Sequence, residues 1–87
     1  MLKSLPTQIL TIVEGRRMRR NLWRLLRFFL DHEGRVLERD RILDGVWGAD
    51  DYPSTRTVDM HVLKLRRKIE PDPEHPAHLL TVHGVGY

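Results

Sequence analysis

Three groups of residues in this 87-residue chain have side chains able to do chemistry. Ser54, Asp59 and His61 are the residue types of a nucleophilic triad, but they lie within eight positions at one predicted helix start. A triad converges from separate elements, which these three cannot do. His75, His78 and His83 are the residue types of a zinc site. Their spacing matches no metal motif, and a chain without cysteine offers no thiolate to complete one. "GVG" at Gly84–Gly86 follows a strand-like run but opens no helix, so it does not read as a phosphate loop. The third group is "RTVDMHVLKLRRKI", Arg56 to Ile69, with five basic residues in fourteen. Its chemistry is the binding of anions. The expectation is a chain that is not an enzyme and needs no cofactor or metal.

The cations of this third group must be held by a helix. At 100° per residue, Val58, Val62, Leu65 and Ile69 fall within about 60° of one another and form a core stripe. Arg56, Met60, Lys64 and Arg67 point the opposite way, with Leu63 at their margin and Arg66 and Lys68 on the flanks. A face turned only to water ordinarily mixes acids with bases at i, i+4, and this face carries no acid. Asp59 lies to the side, near the helix start, where the macrodipole favours a negative charge. His61, at the edge of the core stripe, reads as a packed residue. An α-helix fits the major groove of B-form DNA. From there Arg56, Lys64 and Arg67 reach phosphates or base edges, and Met60 offers apolar contact.

Other elements must support that helix. Leu22, Leu25, Leu26, Phe29 and Leu30 follow helical spacing, with Trp23 at the edge and Gly34 as the stop. Ile42, Leu43, Val46 and Trp47 make a second, short helix closed by Gly48. "GADDYPST", Gly48 to Thr55, is a loop, and Ser54 or Thr55 can cap the third helix. The prolines of "EPDPEHP", Glu70 to Pro76, end that helix. "HLLTVHGVGY", His78 to Tyr87, alternates and carries glycines, so it predicts a β-hairpin. Thr7–Val13 and Arg16–Met18 around Glu14–Gly15 make a weaker hairpin, with a short helix after Pro6 as the alternative. The fold class is α+β: a winged helix-turn-helix, with a three-helix core, a C-terminal β-hairpin wing and a reduced N-terminal β-hairpin. One domain spans 1–87, with 1–17 as the truncated hairpin and 18–87 as core and wing.

Charge is segregated along the chain, whose formal net charge is +3. Residues 14–30 hold six arginines against Glu14, residues 31–55 seven acids against three arginines, and residues 56–68 five bases against Asp59. Two basic segments flank an acidic one. The arginines of 16–27, interleaved with leucines and aromatics, also fit a membrane-surface helix, but the apolar stripe there is what a packed core needs. No apolar run approaches the roughly 18–20 residues that span a bilayer, and the start lacks a signal-peptide pattern. A cytoplasmic protein without a membrane partner is the expectation. The rival to nucleic-acid binding is a protein-interaction module whose basic helix docks an acidic partner.

"GRVLERDRILDGVWG" (Gly34–Gly48), "RTVDMHVLKLRRKIE" (Arg56–Glu70) and "LLTVHGVGY" (Leu79–Tyr87) resemble the winged-helix DNA-binding domain of OmpR/PhoB-type response regulators. The match runs from near Trp23 to Tyr87, and the pairing of "RTVD.H" with "TV.G.GY" is highly specific. The resemblance implies sequence-specific binding of double-stranded DNA for transcription regulation in a two-component phosphorelay. It implies a recognition helix at Arg56–Ile69 with contacts from Arg56, Thr57, Met60, His61, Lys64 and Arg66. Arg67 joins them by its place on the outward face, and Arg66, on a flank, suits a phosphate. It implies a wing bearing Thr81, His83 and Tyr87 near the minor groove, and Trp47 facing the backbone. It implies RNA polymerase at the loop holding Asp50, Asp51 and Tyr52, and a tandem dimer on direct repeats. Five to seven phosphate contacts of this kind give a log–log salt slope of roughly −5 to −6.

The chain also departs from the family. Arg19 and Leu22 replace the Thr and Glu of a capping box at the first helix. Glu38 stands where many members carry a capping Ser. Leu63 and His83 stand where arginine is common, which weakens phosphate contact and makes the wing pH-sensitive. No four-stranded sheet or receiver domain is legible before the first helix.

Overall fold

A computed structural model describes residues 1–3, 18–48 and 54–87. Three helices make the body: α1 over Arg20–Asp31, α2 over Arg39–Val46 and α3 over Thr55–Ile69. The hairpin expected over residues 7–18, apart from Met18, and the loop expected to meet polymerase, Asp50 to Tyr52, lie outside the described residues.

Helix α1 forms where the leucine spacing predicts it, burying Leu22, Leu25, Leu26 and Phe29. Arg19 occupies its N-cap position with extended backbone but gives no side-chain cap, and the first turn holds no acid. Only the Arg19 carbonyl engages, accepting from the Leu22 and Trp23 N–H groups at 3.0 and 3.1 Å. The helix therefore rests on packing: burial of one such side chain is worth about 1.5–3 kcal/mol, more than a cap supplies. It ends at His32, whose Nδ1–H donates to the Phe28 carbonyl at 2.8 Å. Gly34 then takes φ 77°, a conformation that favours glycine.

Helix α2 is eight residues long and buries Ile42 and Val46. Glu38 stands at its N-cap without a side-chain bond, and Asp40 in the first turn suits the helix dipole. Gly45 has no Cβ to obstruct the Phe28 ring, which lies against it from α1. Helix α3 buries Val58, Val62, Leu65 and Ile69 as the periodicity predicts. Its N-cap is Ser54, but the serine hydroxyl makes no cap bond, contrary to expectation. The Ser54 carbonyl accepts from Thr57 N–H at 2.8 Å instead. Arg66, Arg67 and Lys68 in the last turn complement the dipole there. The three helices pack pairwise around Phe29, Leu25, Leu26, Ile42, Val58, Val62 and Leu65.

The predicted C-terminal hairpin takes a different form. The described residues contain no extended strand, only three isolated antiparallel bridges: Leu2 with Leu79, Glu38 with Gly86, and Val82 with Gly86. The Val82–Gly86 pair closes a turn in which Gly84 adopts φ 80°. Its two arms separate at once toward different neighbours. Leu80 N–H donates to the Met1 carbonyl at 2.9 Å, and Tyr87 N–H donates to the Leu37 carbonyl at 3.0 Å. Gly86 presses directly on the Leu37 carbonyl, where a Cβ has no room. Leu2, Leu37, Leu79 and Tyr87 thereby complete the core. No helix among the described residues is long and apolar enough to cross a membrane.

Candidate nucleic-acid interface

The outward face of α3 carries Arg56, Met60, Leu63, Lys64 and Arg67, all exposed, with Thr57, His61 and Lys68 half-buried beside them. Local geometry alone produces this. Once the Val58–Ile69 stripe is buried, the residues half a turn away must face out. His61 Nδ1–H donates to the Thr57 carbonyl at 2.8 Å. The ring also meets Trp47 edge-on, with centroids 4.9 Å apart. Trp47 is half-buried against the core, so it braces His61 from α2.

Asp59, the one acid of α3, is fully occupied within the fold. Its carboxylate accepts from Arg39 Nε at 3.1 Å, from Arg39 Nη2, and from the Tyr87 hydroxyl at 2.6 Å. The pair spans α2 and α3, and Tyr87 adds the C-terminal tail. Burial, then the hydrogen bond to Asp59 and its negative charge, push the Tyr87 phenol up to about 12. The outward cations consequently have no acid among them.

Arg66, expected on a flank of α3, lies buried. Its residue is only 9% exposed. Nε and Nη2 donate to the Leu79 carbonyl at 3.0 and 2.8 Å, and Nη2 also donates to Thr81 Oγ1 at 2.8 Å. The guanidinium lies 5.5 Å from the Tyr87 ring centroid. Burial pulls its pKa below the ordinary arginine value, with the charges of Tyr87 and Glu70 opposing. One helical turn on, the buried Glu70 accepts from the N–H groups of Ala77, His78 and Leu79 at 3.0 to 3.2 Å. Arg66 and Glu70 thus grip the Leu79 residue by its carbonyl and its N–H together. Three of the five guanidinium N–H donors of Arg66 are engaged inside the protein, which makes the residue a brace between α3 and the Leu79–Thr81 segment.

Tyr87, expected on the wing surface, is likewise buried, with its hydroxyl turned to Asp59. Thr81 is exposed, though its hydroxyl accepts from Arg66. His83 sits exposed on the 82–86 turn. Sequence reasoning missed the roles of Arg39, Asp59 and Glu70. Asp59 stands alone among the bases of α3, and Glu70 stands at i+4 from Arg66. Both were signals of an internal partner. Among the described residues, no group of three His, Asp or Glu side chains is placed to hold a metal ion.

Residues 14–87 match the family described as "Transcriptional regulatory protein, C terminal". The chain belongs to that family, the effector domains of OmpR/PhoB type. This is a family of transcription regulators, not of enzymes. Over 63 residues the effector domain is 52% identical to the sensory transduction protein RegX3 of Mycobacterium tuberculosis, covering 72% of this chain and 28% of that one. Over 88 residues it is 39% identical to the alkaline phosphatase synthesis transcriptional regulatory protein SphR of Synechococcus elongatus, covering 99% of this chain and 34% of that one. It is also 46% identical over 66 residues to the transcriptional regulatory protein YvrH of Bacillus subtilis, covering 76% and 28%. The effector domain spans about a third or less of the length of these relatives. Three helices in this family's order are what the described residues contain.

Proposed function

We propose that this effector domain binds double-stranded DNA sequence-specifically in the cytoplasm and regulates transcription in a two-component phosphorelay. Helix α3 enters the major groove, and the 82–86 turn acts as the wing near the minor groove. The observation that carries this reading is the outward face of α3. It presents Arg56, Lys64 and Arg67 to solvent, while its single acid, Asp59, is bound by Arg39 and Tyr87. Phosphate contacts set the register and base contacts set the sequence. Arg56, Lys64 and Arg67 supply the first, together with base reading by Thr57, Met60, His61 and Lys64. Thr81, His83 and Trp47 lie at the margins. Arg66 and Tyr87 serve by positioning.

Family membership supports the remaining parts of the reading. The 87 residues act as a single domain. RNA polymerase meets the loop of Asp50, Asp51 and Tyr52, and two copies bind direct repeats in tandem. Selection of duplexes from random DNA tests the central claim. We expect a recurring half-site, whose spacing gives the bound stoichiometry. Backbone amide shifts of Met60 and Lys64 should move on titration with the selected duplex. Lys64→Ala should cost about 1–3 kcal/mol in affinity, more for the selected site than for random DNA. No recovered motif, with the Met60 and Lys64 signals unmoved across the pool, defeats the reading. Binding of an acidic protein that unlabelled DNA cannot displace would support the rival docking module.

A further inference from the structure

We propose that Met60 and Leu63 read thymine methyl groups, so that the DNA site preferred by this chain carries two closely spaced thymines under the middle of α3. The proposal rests on the DNA-binding reading above and gives its sequence preference. Four large apolar side chains are exposed among the described residues: Val36, Met60, Leu63 and Val85. Met60 is 52% and Leu63 54% exposed, and they stand three residues apart on the outward face of α3. A lone exposed apolar residue is ordinary. Two at i, i+3 spacing are side-by-side neighbours and make one strip. This strip serves no core role, because the opposite stripe of α3 already fills the interior. It is bracketed by exposed Arg56, Lys64 and Arg67. It therefore lies where a DNA-bound helix faces base edges.

Base chemistry then selects the ligand. In the major groove thymine presents a C5-methyl, which guanine, adenine and unmodified cytosine lack. Leucine has no donor or acceptor, and the methionine thioether is only a weak acceptor. Either side chain pressed on a guanine or cytosine edge leaves polar base atoms desolvated and unpaired, which is costly. Pressed on a thymine methyl, it buries apolar surface on both sides. Leu63 also borders the groove formed with Arg67, Leu80, Thr81 and His83, so it reads the side nearer the 82–86 turn. Three residues of helix rise about 4.5 Å, and stacked bases are spaced about 3.4 Å. The two thymines therefore fall on adjacent or next-adjacent base pairs.

The experiment starts from the duplex recovered by selection. Each thymine is replaced singly by deoxyuridine, which removes the methyl and leaves the hydrogen-bonding edges intact. We expect two replacements, no more than two base pairs apart, to weaken binding by about fourfold each, the loss for one methyl-sized group returned to water. Met60→Ser should abolish the sensitivity at one position and Leu63→Ser at the other. Both side chains are exposed, so circular dichroism should show the fold unchanged. A 5-methylcytosine at either position should bind better than cytosine. If the selected duplex tolerates deoxyuridine everywhere, or if both serine variants keep the full sensitivity, methyl reading is refuted while DNA binding stands. If no duplex is selected, both fail together.

Discussion

Arg66 and Arg67 are adjacent and chemically identical, yet the fold gives them opposite work. Arg66 is buried with three hydrogen bonds to the chain that follows, and Arg67 is exposed. Arg66→Met should therefore destabilise the domain by about 2–3 kcal/mol, because the Leu79 carbonyl loses a charged donor in a buried setting. Arg67→Met should change stability by no more than about 0.5 kcal/mol, but should weaken DNA binding evenly across sequences. Urea denaturation beside binding to selected and random duplexes separates the two. Tyr87 gives a pH test at the same scale. Its folded pKa is raised from the ordinary 10.0 to about 12. The raised value means the folded state holds the phenolic proton more tightly than the unfolded state does. That contribution is whole below about pH 10 and drains away as pH rises through about 12. Denaturation midpoints should fall over this window in the wild type and fall less in Tyr87→Phe.

At the scale of the element, α1 is the least locally supported helix. It has neither a side-chain cap nor a first-turn acid, and its last turn has no base. Its Asp31 pairs with Arg27 across one turn at 3.8 Å, both side chains well exposed. Such a pair adds little. The helix persists because four of its side chains are buried. Arg19 already has the extended backbone of an N-cap, φ −63° and ψ 149°. Arg19→Ser should therefore gain about 0.5–1 kcal/mol by supplying the missing acceptor. Thermal melting would show it as a higher midpoint, and an unchanged or lower midpoint would mean that the first turn is held by something other than its cap. Helix α3 contrasts with this. Its basic last turn suits the dipole, and Arg66 and Glu70 tie that end to the residues leading into the 82–86 turn.

At the scale of the molecule, these ties join α2, α3 and the tail into one body. Arg39, Asp59 and Tyr87 link three separate segments, and the Tyr87 ring lies beside Arg66. The 82–86 turn is consequently fixed relative to the outward face of α3. On the proposed reading, a surface so held meets two grooves of one duplex in a single orientation. The buried Arg66 also lowers the number of cations free to displace counterions. With about three to five phosphate contacts, the plot of log affinity against log salt should have a slope of roughly −3 to −5. This is shallower than the slope of roughly −5 to −6 expected from the sequence. Arg67→Met should reduce the magnitude by about one. A slope near zero would exclude phosphate neutralisation as the source of affinity.

What could be read without coordinates was whatever depends on neighbours within two turns. Val58, Val62, Leu65 and Ile69 share a face because a helix advances a fixed angle per residue, so the buried and cationic sides of α3 were both legible. The stops at Gly34 and Gly48 were legible for the same local reason, and both glycines take positive φ. Ser54 was legible as a cap by position, but not the failure of its hydroxyl to bond. The fates of Arg66, Asp59, Glu70 and Tyr87 belong to tertiary structure. Arg66 meets its partner thirteen residues on and Asp59 meets Tyr87 twenty-eight residues on. No periodicity encodes a contact across such separations. The same cause reduced the expected hairpin to a single bridge. Its arms find better partners in Met1–Lys3 and Leu37 than in each other. Local geometry thus set which charges face the solvent, and long-range packing decided which of them remain available to DNA.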